Sequence, residues 1–385
     1  MVYRGVSVAT GKTLEVRIEQ GQIHEVREIK PSKDLPYLSP GFFDLQINGH
    51  RGIDYSGEDL TPEKVLEVCR SVAKTGTTRH FATIITRPKE RILANLRILT
   101  EARNRYSFVR ASILGVHLEG PFISEEDGPR GAHNREFVRD PDIDEFEEWQ
   151  EAAEGTVRLV TLAPERKGAI PFIQHLRKKG VVAAIGHTGA SAEVIQEAIR
   201  SGASLSTHLG NGSHAQIPRL RNYIWEQLAA DELYASFICD GFHLPPSVMK
   251  VFSRAKGIER IILVSDVAFL AGLKPGFYKW GHLDVELHPD GRITQVGTPF
   301  FAGAGHLLDR GIAQFVRHTD MSLSMAIRAC TVNPARLTAI PESNFKLEGG
   351  TPAHLVLFDH REGDDTLRIL KVVAEGEELD GTEKP

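Results

Sequence analysis

The chain has 385 residues, 41% of them hydrophobic and 25% charged, and carries a formal net charge of −5 at pH 7. That length exceeds one small core and suits a barrel of ~250 residues with a smaller partner domain. The mild negative charge gives no support for nucleic acid or a membrane surface as a partner, and no apolar run approaches the ~18–20 residues that span a bilayer.

Residues 1–40 hold short alternating runs: Val6-Ser7-Val8, Leu14 to Ile18 and Ile23 to Val26, separated by Gly11 and by Gly21-Gln22. Period-2 alternation between turn residues predicts antiparallel strands with one solvated face. Met1 to Val8 lacks the apolar centre of a signal peptide and reads as a strand. Cys69, Cys239 and Cys330 are far apart and in no CxxC pattern. They read as buried, reduced thiols, and a cytoplasmic protein is expected. Pro31, Pro36 and Pro40 mark a connector.

From Gly41 the texture changes to short apolar runs alternating with helical segments. Gly41 to Gly49 reads as a strand, and Thr61-Pro62-Glu63 opens a helix, with Thr61 as N-cap and Pro62 at its first position. A strand over 77–86 and a helix over 89–105 follow. A β-rich run from Phe108 to Leu114 leads into Gly115-Val116-His117-Leu118-Glu119-Gly120-Pro121-Phe122, where Gly-Pro stops the strand at Glu119. An acidic helix over 142–153 precedes a strand over 157–165, and a helix over 168–179 precedes the strand that ends in His187. Ser191 caps a helix to Ser201, followed by the strand that ends in His208. A helix over 223–230, a strand over 234–240, a helix over 245–255 and the strand Ile261 to Asp266 complete the series. Eight buried strands, most followed by a helix, imply a parallel sheet. The expected fold is an α/β (β/α)8 TIM barrel over residues 41–339, with its site at the C-terminal strand ends. A doubly wound open sheet is the competing topology, and no GxGxxG supports it.

Leu283 to Val296 carries a hairpin signal, with Pro289-Asp290-Gly291 at the turn. Helices are expected around 308–317 and 322–330, with a shorter one over 331–337. Strands over 353–359 and 367–373 are expected to join the N-terminal strands, giving a small β-sandwich domain from residues 1–40 and 340–385. The acidic tail after Ala374 is expected to fray.

Glu119, His187, His208 and Asp266 all stand at strand ends, and that shared position is the functional signal. One carboxylate and two imidazoles suit a divalent metal, Zn²⁺ or Fe²⁺ first, with Mn²⁺ or Co²⁺ able to serve. Three protein ligands leave a position for water, whose pKa the ion would lower. Asp266 is then placed to take the proton and return it to a leaving group. This is metal-assisted hydrolysis of an amide or ester.

Several runs, taken in order, carry a resemblance: Pro40-Gly41-Phe42-Phe43-Asp44, Gly76-Thr77-Thr78, His117 to Ser124, Gly131-Ala132-His133, Thr161 to Glu165, Gly186-His187-Thr188, Thr207-His208-Leu209, Asp240-Gly241-Phe242-His243, Val264-Ser265-Asp266 and Asn333-Pro334-Ala335. The chain resembles the amidohydrolase superfamily and, within it, the N-acetylglucosamine-6-phosphate deacetylases. The resemblance implies Glu119, His187 and His208 as metal ligands and Asp266 as general acid/base. It implies His243 as a group that polarises the acetyl carbonyl or holds the sugar. It also implies substrate contacts at His133, Asn211, Gly212 and Arg219, the last reaching the phosphate site of a neighbouring subunit in a homodimer. Many amidohydrolases begin with His-x-His for a second metal. Here Gln46-Ile47-Asn48 stands there, so one metal per subunit is expected. The loop His208-Leu209-Gly210-Asn211-Gly212-Ser213-His214 departs from the family pattern, and His214 is new in it. The substrate is thus expected to be an N-acetylated amino sugar, N-acetylglucosamine 6-phosphate first. Alternatives are another N-acyl sugar or small amide, a non-catalytic sugar sensor, and a ring-opening cyclic amidohydrolase. The last usually carries a lysine on its fourth strand, and Thr161 to Glu165 offers none.

Overall fold

The computed structural model describes residues 1–32 and 34–381. Eight strands form one all-parallel sheet: β1 (Phe43–Ile47), β2 (Arg79–Ile85), β3 (Ile113–Glu119), β4 (Val157–Leu162), β5 (Val182–Ile185), β6 (Ala203–Ser206), β7 (Tyr234–Ile238) and β8 (Ile261–Val264). Neighbours in the sheet follow chain order. The sheet closes on itself between its first and last strands. Ile47 bridges Val267, Asn48 N–H donates to the Val267 carbonyl at 3.0 Å, and Ser265 N–H donates to Asp44 Oδ2 at 3.0 Å. The result is the expected (β/α)8 barrel.

These strands are buried almost throughout because both faces are covered, outside by helices and inside by other strands. The interior is filled at the end where the strands begin. Phe43, Phe81, Leu159, Leu205, Tyr234 and Ile262 meet there, and Phe345 stacks on Phe43 with ring centres 5.2 Å apart. Burying each such side chain contributes roughly 1.5–3 kcal/mol. A cavity can therefore open only at the other end, where the strands finish.

The helices start where the sequence places caps. Thr61 accepts from Lys64 N–H ahead of helix Pro62–Ala73, Asp142 from Glu145 N–H ahead of Ile143–Ala152, and Ser191 from Val194 N–H ahead of Ala192–Ser201. Cys69, Cys239 and Cys330 are buried free thiols. Both chain ends form a second sheet of seven strands, Val2–Ser7, Thr13–Glu19, Gln22–Glu28, Tyr37–Pro40, Leu355–Asp359, Arg368–Ala374 and Glu377–Asp380.

Four segments differ from the sequence expectation. Ser107–Ser112, expected as the start of a strand, is a turn of helix, with Arg110 N–H on the Tyr106 carbonyl at 3.1 Å. Its two large apolar residues, Phe108 and Val109, fit either period. The proline connector contains strand Tyr37–Pro40, parallel to Val2–Ser7 and antiparallel to Leu355–Asp359. The acidic tail does not fray after Ala374: Glu377–Asp380 pairs with Arg368–Ala374, and Lys371 lies within ion-pair distance of both Glu378 and Asp380. Its last residues, 382–385, lie outside the described residues. The expected hairpin gains a third strand, Gly276–Trp280.

Candidate active site

Glu119, His187, His208 and Asp266 converge at the C-terminal mouth of the barrel. Glu119 is the last residue of β3, and the other three stand just beyond β5, β6 and β8. There the backbone turns into the left-handed region, with φ of 51° at His187, 28° at His208 and 52° at Asp266. Non-glycine residues adopt this region at a cost, and such positions gather at functional sites.

Glu119 Oε1 lies 3.2 Å from His187 Nε2 and 2.9 Å from His208 Nε2, and the two imidazole nitrogens are 3.1 Å apart. His187 Nδ1 is 2.8 Å from the Pro129 carbonyl, which can only accept, so Nδ1 carries the proton and Nε2 presents a lone pair. A carboxylate oxygen and that lone pair thus converge with a second imidazole nitrogen in a buried space. Tetrahedral zinc with ligands ~2.0–2.1 Å away would set ligand atoms about 3.3 Å apart. The triangle of contacts fits a divalent ion. His133 adds a further candidate: Glu119, His133 and His187 each offer an atom within 4.8 Å of the others. His208 is the better third ligand because its contacts are shorter. His133 is engaged through Nδ1 with Thr86 Oγ1 at 2.8 Å and stands edge-on to His187.

Sequence reasoning reads Gln46 and Asn48 only as the loss of a second metal site. The structure gives them work. Gln46 Nε2 donates to Glu119 Oε1 at 2.8 Å and to Asp266 Oδ1 at 2.9 Å, and Asn48 Nδ2 donates to the same Asp266 oxygen at 2.8 Å. Burial would raise the Glu119 carboxyl, but the two imidazoles beside it, His187 and His208, outweigh that and hold it well below the usual range. Asp266 moves the other way. Burial, then the negative charge of Glu119, push it up to about 6. Two neighbouring carboxylates are thus set to different tasks by their surroundings.

His243 is fixed by Asp240, the first residue of the Asp-x-x-His run. Asp240 Oδ2 is 2.8 Å from His243 Nδ1, and Asp240 Oδ1 accepts from Phe242 and His243 N–H. The other ring nitrogen is left for the cavity that His243 helps to line. That cavity, of about 510 Å³, is lined by Glu119, His133, His187, His208, Asn211, Gly212, His243 and Asp266, together with Arg87, Arg130, Trp280, His282, Phe300 and Phe301. Gly212 packs on the metal-ligand candidate itself: a Cβ there would come within 2.7 Å of His187 Nδ1. Arg219 is exposed and does not line the cavity of its own chain. His214 ties the loop after β6 to the loop after β3, through Glu126 Oε2 at 2.9 Å, and to Tyr223. The lining residues after Trp280 carry no motif, so nothing in the sequence marks them.

A sequence profile of the Amidohydrolase family matches residues 37–382. The chain belongs to that family. Within it, the similarity is to deacetylases of phosphorylated amino sugars. The N-acetylglucosamine-6-phosphate deacetylase of Bacillus subtilis (strain 168) is 31% identical over 356 residues, covering 91% of this chain and 88% of that protein. The N-acetylgalactosamine-6-phosphate deacetylase of Escherichia coli O157:H7 is 27% identical, covering 90% of each. Among solved structures, an aspartate-to-alanine mutant of the Mycobacterium smegmatis N-acetyl-D-glucosamine-6-phosphate deacetylase, in complex with N-acetyl-D-glucosamine-6-phosphate, superposes with a TM-score of 0.87 at 30% identity over 98% of both chains. The chain is a hydrolase of amide C–N bonds. Among its described residues no helix is long and apolar enough to cross a membrane.

Proposed function

We propose that this protein hydrolyses the N-acetyl group of N-acetylglucosamine 6-phosphate, releasing acetate and glucosamine 6-phosphate. The observation that carries the reading is the pairing of the Glu119–His187–His208 triangle with Asp266 through the single amide of Gln46. Glu119, His187 and His208 would hold one divalent ion per subunit, zinc first and Fe²⁺, Mn²⁺ or Co²⁺ after it. Bound there, the ion would supply Lewis acidity and lower the pKa of a water molecule. Asp266, kept within 3 Å of Gln46 and Asn48, takes a proton from the water that attacks the acetyl carbonyl. It returns that proton to the amine nitrogen as the C–N bond breaks. His243, anchored by Asp240, turns its free ring edge to the carbonyl oxygen or the sugar. His133, Asn211 and Gly212 shape the cavity that holds the ring. Residues 1–40 with 340–385, and 41–339, are read as two domains, and the enzyme as a cytoplasmic homodimer.

The test is acetate release by metal-loaded protein from N-acetylglucosamine 6-phosphate, N-acetylglucosamine and N-acetylgalactosamine 6-phosphate. Fastest turnover of the first supports the reading. Preference for the galacto sugar moves the assignment to the chemistry named for the E. coli relative, and no acetate from any of the three rules the reading out. Sedimentation of the same sample gives the subunit number.

A further inference from the structure

His214 departs from the family pattern, and the hydrolytic site makes no use of it. It stands where the loops after β3, β5 and β6 meet at the barrel mouth. Their backbones come close together. A Cβ on Gly128, in the loop after β3, would lie 3.0 Å from His214 Cα and from the Ser213 carbonyl oxygen. A Cβ on Gly189, in the loop after β5, would lie 2.9 Å from His214 Cε1 and 3.5 Å from Glu126 Oε2.

His214 joins these loops through a run of hydrogen bonds. Its backbone N–H donates to Tyr223 Oη at 2.9 Å, and its Nδ1 lies 3.1 Å from the same oxygen. A phenol that accepts there has one proton to give, and Nδ1 is in reach to take it. Nε2 then carries the ring proton and faces Glu126 Oε2 at 2.9 Å. The two ends of the run differ. Tyr223 is buried, at the start of helix Tyr223–Ala229, which Asn222 caps by accepting from Ile224 and Trp225 N–H. The Glu126 side chain is 65% exposed. The anchored end is thus on the β6 side, and the segment around Glu126 is the part being held.

That segment touches the site. Arg130 N–H donates to the Glu126 carbonyl and Gly131 N–H to the Gly128 carbonyl, both at 3.0 Å, so residues 126–131 close into a turn. Its Pro129 carbonyl accepts the His187 Nδ1 proton at 2.8 Å. The His187 ring packs against both loops. A Cβ on Gly131, in the turn, would lie 3.5 Å from Nδ1, and one on Gly212, in the loop after β6, 2.7 Å from it. Holding the two loops together therefore fixes the ring and the direction of its Nε2 lone pair. The hydrogen bond behind a metal-ligating imidazole sets its tautomer and orientation.

We propose that Tyr223, His214 and Glu126 form a clasp across this junction and are positioning residues for the metal ligand His187. This rests on the metal-site reading above. An exposed pair adds little to global stability, so the effect belongs at the site rather than in the melt.

Full-length wild type is compared with His214→Ala, His214→Gln and Tyr223→Phe. Zinc affinity is read by competition with a fluorescent chelator. It is expected to fall by about tenfold or more in His214→Ala and in Tyr223→Phe, which loses the oxygen that accepts from His214. His214→Gln can still donate to Glu126 and keeps most of the affinity. In His214→Ala, kcat falls at limiting zinc and recovers in excess zinc, a rescue that general damage to the fold would not show. Amide hydrogen exchange of the metal-free protein is expected to quicken over residues 126–131 in His214→Ala, with the barrel strands unchanged. Wild-type exchange over that turn overturns the clasp. Faster exchange with wild-type zinc affinity overturns the positioning role. A wild type that binds no zinc and releases no acetate, beside that exchange difference, sinks the metal-site reading and leaves the clasp standing.

Discussion

Gln46 shows how much one neutral side chain can do. Its amide donates to both carboxylates of the site, 2.8 Å to Glu119 and 2.9 Å to Asp266, and so sets their separation. Gln46→Met keeps the volume and removes both donors. Outer contacts of this kind typically carry 10–100-fold in metal affinity or activity. Metal affinity in Gln46→Met is expected to fall by about that factor, read by competition with a chelator, and kcat to fall with it. Unchanged affinity and kcat would mean that the barrel fixes Glu119 and Asp266 without help. Gly212 acts through shape alone. It sits at φ of 56°, where a side chain is strained, and its missing Cβ leaves room for His187. Gly212→Ala is expected to push the ring off the Pro129 carbonyl and cut kcat roughly 100-fold, a factor that ~1 Å of misplacement can produce. A thermal melt near wild type beside that loss would place the damage in the site; wild-type kcat would show that the loop yields instead.

At the scale of elements, one carboxylate ties β1 to β8 beside the backbone contacts of their seam. Asp44 Oδ1 accepts from Gln46 N–H and Oδ2 from Ser265 N–H, both at 3.0 Å. Asp44→Asn turns one acceptor into a donor facing an N–H. Leaving a buried donor unpaired costs about 1–3 kcal/mol, so chemical denaturation is expected to show that loss of stability. No loss would mean the seam pairs through backbone alone. The strand ends were legible in the sequence because buried parallel strands read as apolar runs that stop abruptly at a polar residue. Glu119, His187 and Asp266 close such runs, whereas His208 follows the mixed stretch Ser204-Leu205-Ser206-Thr207. The partners that make them a site were not legible. Gln46 reaches Glu119 and Asp266 across the barrel, a relation that no local period encodes. Asp240 stands in a recognisable Asp-x-x-His run, yet its hold on His243 depends on a turn that the residue types alone do not specify. The strand Tyr37–Pro40 was hidden by its prolines. Pro36 and Pro40 flank or end it, where a missing N–H costs the ladder little.

At the scale of the whole molecule, the response to acid depends on buried groups of opposite sign. His50, His80 and His354 are held neutral by burial, at about 4, 3 and 4. Unfolding frees them to bind protons near their ordinary value of ~6.5, so they stabilise the fold above that pH and lose that contribution as the pH falls. Asp44 and Asp309 are raised by burial to about 7 and 6. They stabilise the fold at low pH and lose that contribution as the pH rises from ~4 through those values. Between pH 4 and 6.5 the two sets oppose each other, and the three histidines outweigh the two aspartates by about one proton, so these groups together should lower stability toward acid by about 1.4 kcal/mol per pH unit. His80 is the cleanest single probe. It is fully buried, outside the metal cluster, and bonded through Nε2 to Tyr55 Oη at 2.9 Å. His80→Gln keeps a polar atom for that contact and removes the titration. Each proton of difference is worth about 1.4 kcal/mol per pH unit. Over this window the variant should therefore lose about 3 kcal/mol less than the wild type on acidification, whatever its stability at pH 7. Urea unfolding at pH 4, 5, 6.5 and 7.5 reads the two slopes. Parallel curves would mean that His80 is already protonated in the fold, or stays neutral after unfolding, and that the acid response arises elsewhere.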